Sequence, residues 1–125
     1  MVDFSNISGV VLYTSDMNRA LNFYTKVLGF EVVKIESGFV TLQLQNMKLY
    51  LHHAENPPGE KGASLKIPQV SFKVDDINAA FQHLQQAEVK ITRGIVKYNP
   101  TTYVFNFLDP DGNSLACESN TRKMG

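Results

Sequence analysis

Two adjacent histidines, His52 and His53, and a glutamate near the end of the chain, Glu118, are the side chains of this sequence best suited to chemistry. An imidazole beside a carboxylate can work as an acid and base pair, and with the amide of Gln69 the two make an acceptable shell for several divalent metals. His52 and Glu118 are therefore the candidate catalytic residues. Plainer readings stand beside these: His52 and His53 can merely end an exposed strand next to a flexible polar stretch, the reading favoured for His53, and Glu118 can be solvated beside Arg122 and Lys123. Tyr13, Tyr50 and Tyr103 offer a ring plus a hydroxyl, which suits planar or amphipathic ligands, although tyrosine is also ordinary on half-buried sheet faces. The lone Cys117 lacks a basic neighbour and reads as a small core residue. Phe23 and Tyr24 read as helix packing, and His83 as a solvent-facing helix residue.

These residues must be held by short elements. Ile7–Tyr13 is apolar and β-branched and stops at Thr14-Ser15-Asp16, a helix-capping cluster. Met17, Ala20, Leu21, Tyr24, Val27 and Leu28 then fall on one helical stripe ending at Gly29, which predicts a helix over about 16–28. Phe30–Ile35, Phe39–Leu44 and Met47–His52 are β-prone runs divided by Ser37-Gly38 and Gln45-Asn46, and predict three antiparallel strands. A polar stretch over 55–66, rich in Pro and Gly, reads as a flexible connection.

The second half repeats the first at an offset of 60 residues, with Val10, Asp16, Asn18 and Ala20 meeting Val70, Asp76, Asn78 and Ala80. Ile77, Ala80, Phe81, Leu84 and Ala87 share a helix face, and Val89–Val96, Thr102–Leu108 and Ser114–Glu118 complete a second strand, helix, three-strand unit. In Asp109-Pro110-Asp111-Gly112-Asn113, Pro presets one turn dihedral and Gly permits a positive φ. The chain thus reads as a single α+β domain over 1–125, built from repeats at about 5–54 and 67–120.

A βαβββ unit twice over, with FYTKVLGF in the first half and FLDPDGNSL in the second, resembles the vicinal oxygen chelate superfamily, which includes glyoxalase I, extradiol dioxygenases and bleomycin resistance proteins. The resemblance spans about Ile7 to Ser119. It implies curved sheets forming a cup, helices outside, and a homodimer in which halves of different chains pair. Alternation then assigns the faces. Val70, Phe72 and Val74 go under the helices and turn Gln69, Ser71 and Lys73 into the cup. Leu49 and Leu51 do the same for Tyr50 and His52, and Leu115 and Cys117 for Ala116 and Glu118. Gly9, Val11 and Tyr13 are the cup positions of the first strand. Tyr13, Tyr50, His52, Gln69, Ser71, Lys73, Tyr103 and Glu118 are the expected ligand-binding residues.

Metal-dependent members of that superfamily place His, Gln or Glu at one position on each of four cup strands, and the resemblance carries these onto Gly9, Tyr50, Gln69 and Ala116. Glycine and alanine have no donor, a phenol is an uncommon ligand, and Gln is a weak one, so no metal and no other cofactor is expected. The leading expectation is metal-free binding of a small organic molecule. Two alternatives stand beside it: a metal-dependent lyase, isomerase or dioxygenase using an irregular His52 and Glu118 site, and a dimeric scaffold with a vestigial cup. Whether the protein is an enzyme is left open, with binding favoured.

Composition narrows the partners. Twelve Lys plus Arg balance twelve Asp plus Glu, with no basic block to neutralise phosphates, so nucleic acid is not expected. No apolar run reaches the roughly 20 residues of a membrane span. One cysteine and no signal-peptide pattern at the start point to the cytoplasm. Lys73 against Glu118, with zero net charge overall, disfavours a large cationic drug as ligand.

Overall fold

In a computed structural model, residue 2 and residues 8–55 and 69–120 are described, and the chain divides into two units between Pro57 and Pro58. The connection read over 55–66 lies, after Glu55, outside the described residues.

The first unit runs β1 (Val10–Thr14), α1 (Met17–Asn22), β2 (Glu31–Glu36), β3 (Phe39–Leu44) and β4 (Met47–His53). Its sheet order is β1-β4-β3-β2, with β1 parallel to β4 and the other pairs antiparallel. Asp16 caps α1 as its sequence position predicts, its carboxylate accepting from the Arg19 N–H at 3.1 Å. The helix expected over 16–28 does not stay regular. Beyond Asn22 it widens into a π-type turn, Phe23–Val27, in which the Leu28 N–H donates to the Phe23 carbonyl. The wider turn buries two consecutive rings, Phe23 and Tyr24, which meet edge to face at 5.1 Å, and Tyr24 meets Phe30 likewise at 5.8 Å. Thr25 adds a bend-promoting bond from its hydroxyl to the Leu21 carbonyl, 2.7 Å. Ala20, Val40, Leu42, Leu49 and Leu51 complete this core.

The second unit runs β5 (Val70–Lys73), α2 (Ile77–Gln86), β6 (Ile91–Asn99), β7 (Thr102–Leu108) and β8 (Ser114–Ser119), in sheet order β5-β8-β7-β6. β5 is parallel to β8, and the other pairs are antiparallel. Asp76 caps α2 through the Asn78 and Ala79 N–H groups. The strand expected from Val89 begins two residues later, because Val89 still belongs to the helix end, its N–H donating to the Leu84 carbonyl. α2 packs on β6, β7 and β8, with Phe81 edge to face on Phe105 at 5.2 Å. Phe105, Phe107, Leu115, Ile77 and Leu84 form the core with Cys117. Between β7 and β8 the Asp109 carboxylate accepts from the Asp111 and Asn113 N–H groups and the Asn113 amide, and Gly112 has φ +86°. The turn is therefore built as its residue types dictate. Among the described residues no helix is long and apolar enough to cross a membrane.

Candidate functional site

Strand alternation divides the second sheet cleanly. Leu115, Cys117, Phe105 and Phe107 are buried on the face that carries α2, so their neighbours Ala116, Glu118, Val104 and Asn106 project from the other face. Register aligns these into a patch: Asn106 lies opposite Ala116 on one side and Arg93 on the other, and Val104 lies opposite Glu118 and Val96. A cavity of about 310 Å³ opens there, lined by Gln69, Arg93, Tyr98, Asn99, Thr102, Val104, Asn106, Ala116 and Glu118. The Gln69 and Asn106 amides are tied together, Asn106 Nδ2 donating to Gln69 Oε1 at 3.2 Å. Val104 and Ala116 provide an apolar floor, and Arg93 and Glu118 bring one charge of each sign. Among the described residues, neither of those two charged side chains forms a hydrogen bond or ion pair.

Of the residues expected from sequence, Gln69 and Glu118 line this cavity. Ser71 and Lys73 lie opposite Ala116 and Glu118 on β5 and share their face, exposed, but are not part of the lining. Tyr103 is a correction. It alternates with Val104 and falls on the face of Phe105 and Phe107, beneath the helix side of the sheet, so its ring is turned away from the cavity. Arg93, Tyr98, Asn99, Thr102 and Asn106 were not reached by the sequence argument. Alternation through Thr102, Val104 and Asn106 identifies the β7 members once Phe105 and Phe107 are taken as core. On β6 the register shifts around Arg93 and again beyond Lys97, so a period of two fails there.

In the first unit Tyr13, Tyr50 and His52 share the sheet face opposite Leu49 and Leu51, as expected. The His52 ring stacks on Phe39 with centroids 4.9 Å apart and tilts against Tyr13 at 6.1 Å. His52 thus packs among rings, while His53 is exposed at the strand end. His52 belongs to the first unit and Glu118 to the second.

The four positions to which the resemblance carries metal ligands do not fit a divalent ion. A Cβ at Gly9 would stand 2.5 Å from the Lys48 carbonyl oxygen and 2.6 Å from Tyr50 Cε2, so Tyr50 closes the space a ligating side chain would need. The Tyr50 hydroxyl itself donates to the Ser8 carbonyl at 3.3 Å. Ala116 has no donor atom, and the Gln69 carbonyl oxygen is engaged by Asn106. Within neither unit, among the described residues, do three or more His, Cys, Asp or Glu side chains come together as a metal shell.

Comparison with known proteins agrees with the topology. Residues 6–116 match the family model described as Glyoxalase/Bleomycin resistance protein/Dioxygenase superfamily. An integron cassette protein from the mobile metagenome of V. cholerae is 28% identical, with 97% of this chain and 99% of that chain covered and a TM-score of 0.74. A virulence protein from Salmonella typhimurium is also 28% identical, over 94% of this chain and 98% of its own, with a TM-score of 0.72. Lactoylglutathione lyase from Agrobacterium tumefaciens, 24% identical over 92% of this chain and 93% of that one at a TM-score of 0.71, shares the fold. With two βαβββ units and a family match over nearly its whole length, the chain belongs to the Glyoxalase/Bleomycin resistance protein/Dioxygenase superfamily.

Proposed function

We propose that this protein binds a small organic molecule in the second unit's cavity without a resident metal. The observation that carries the reading is convergence: a guanidinium and a carboxylate without a partner among the described residues, with a pair of hydrogen-bonded amides, surround an apolar floor in a space of about 310 Å³. That volume is at the small end of ligand sites. The rival with a catalytic metal is disfavoured by the donor set, since Gly9 and Ala116 supply no ligand and Tyr50 occupies the room beside Gly9. The protein acts in the cytoplasm, in keeping with its single, buried cysteine thiol. It works as a homodimer, a reading supported by edge strand β2, where Val32, Val33 and Ile35 are 44%, 53% and 71% exposed.

The test is thermal melting against a panel of small molecules and against Zn, Ni, Co and Mn. A ligand at 100 times its Kd stabilises by about 2.7 kcal/mol and raises Tm by several degrees. The metals, at tens of micromolar, should shift Tm by less than about one degree. A multi-degree metal shift abolished by His52→Ala and by Glu118→Ala would replace this reading with the metal enzyme. Sedimentation at micromolar concentration should give twice the monomer mass, and a monomer throughout would remove the dimer.

A further inference from the structure

The cavity of the second unit has polarity, and its two charges are set apart by the sheet itself. β7 lies between β6 and β8, with Arg93 opposite Asn106 on one side and Glu118 opposite Val104 on the other. Two strand spacings of about 4.8 Å crossed with two residues of about 3.3 Å put the Arg93 and Glu118 Cα atoms about 12 Å apart on the diagonal. The groups do not close on each other as an ion pair among the described residues. Between them the floor is Val104 and Ala116, which has no polar side-chain atom to offer a ligand.

Each end also has its own chemistry. At the Arg93 end stands Asn106, whose amide spends one N–H on Gln69 Oε1 and keeps a second donor beside the planar guanidinium fork. A fork plus a neighbouring N–H is a clamp for a carboxylate. The Glu118 carboxylate offers only acceptors when ionised, which suits an ammonium, and Lys73, opposite it on β5, is exposed, stays outside the cavity lining and forms no ion pair with it among the described residues. A dicarboxylate would meet Glu118 with like charge, and a diamine would meet Arg93. Allowing a charged hydrogen bond of about 2.8 Å at each end and side chains leaning inward, the space between heads suits a carboxylate and an ammonium roughly 5–8 Å apart.

Resting on the reading that this cavity binds a small molecule, we propose that its ligand class is the compact zwitterion, an ω-amino carboxylate of about four to six carbons held by Arg93 at the carboxylate and Glu118 at the ammonium. The methylenes lie over Val104 and Ala116, with the Tyr98 ring at the side.

The experiment uses the full chain and four probes, 4-aminobutanoate, 6-aminohexanoate, hexanoate and hexylamine, with binding measured by titration calorimetry and by amide chemical shifts. At least one zwitterion should bind about tenfold or more tighter than either single-charge probe, the factor expected from one added charged hydrogen bond. Arg93→Met should bring the zwitterion down to the level of hexylamine, and Glu118→Gln to that of hexanoate, while Arg93→Lys, which keeps the charge and loses the fork, should fall between. Both sites are away from the core face, and circular dichroism checks that each variant is folded. Equal binding of zwitterions and single-charge probes, indifference to both variants, or no binding of any probe at millimolar concentration would overturn the proposal. A neutral fragment that binds instead and is weakened by Asn106→Ala would leave the binding reading standing without this ligand class. Absence of any cavity ligand, charged or neutral, would remove both.

Discussion

Gly9→Ala tests the packing that closes the first unit's face. The new Cβ would meet two atoms of different mobility, the Lys48 backbone oxygen at 2.5 Å and Tyr50 Cε2 at 2.6 Å. The ring can swing, at the expense of its hydroxyl bond to the Ser8 carbonyl, but the carbonyl belongs to β4 and moves only with the strand. Overpacking of this kind costs about 1–3 kcal/mol, and alanine's lower freedom in the unfolded chain returns about 0.4–1 kcal/mol. The net loss should be about 1–2 kcal/mol, read as a lower urea midpoint with an unchanged m value. In a Tyr50→Ala background the ring contact disappears and the carbonyl contact remains, so the cost of Gly9→Ala should shrink without vanishing. A Gly9→Ala protein as stable as wild type, or one whose loss vanishes wholly in the Tyr50→Ala background, would refute the reasoning. Gly9→His, which puts back a potential metal ligand, should destabilise more and confer no metal-induced stabilisation.

Gly112→Ala should cost about 1 kcal/mol because φ is +86° there, whereas Gly94→Ala, whose Cβ meets nothing within 4 Å, should be neutral in the same urea assay. Asp76→Ala removes the acceptor of two α2 N–H groups and should lower stability by about 1 kcal/mol, with Asp76→Asn retaining most of it. Burial pushes the Cys117 thiol from 9.0 up to about 12, so it should resist alkylation in the folded protein and react on unfolding. The same shift has a pH signature. Above about pH 9 the unfolded chain loses this proton while the folded one keeps it, so stability present below that pH falls by up to about 1.4 kcal/mol per unit as pH rises toward 12. Comparison of wild type with Cys117→Ala at about pH 8 and about pH 10 isolates it; parallel losses in both proteins would show that Cys117 is not responsible.

Much of the architecture is legible in the sequence because its local signals agree. β3 and β7 have the bounds that their apolar runs and flanking turns predict, and Asp16 and Asp76 both cap helices. The π-type turn at Phe23–Val27 is not legible, since its stripe of apolar residues fits a regular helix, and only the demand to bury Phe23 and Tyr24 together selects the wider turn. The site divides along the same line. Gln69 and Glu118 sit on regular strand positions and follow from alternation. Arg93 sits where β6 slips register, and no period carries a reader to it. Tyr103 shows the opposite hazard: an attractive residue type lies on the face that its strand neighbours Phe105 and Phe107 assign to the core.

The parallel pairing of first strand with last sets an order of assembly within each unit. β2, β3 and β4 are joined by tight turns, as are β6, β7 and β8, so these antiparallel neighbours find each other across short loops. Val10 must instead reach Leu49, and Val70 must reach Leu115, with a helix in between. Closing a loop of that length costs about 3 kcal/mol or more of chain entropy, so these contacts are expected to form late. On the ribosome the first unit has its whole sheet before the second has any, whereas β5 waits, unpaired, until β8 has been made. Truncation inside β8 therefore leaves β5 without its strand partner and turns β7 into an edge strand held by β6 alone. In pulsed hydrogen exchange the Val70–Lys73 amides should gain protection after those of Thr102–Leu108, and protection in the reverse order would show that the crossover closes first.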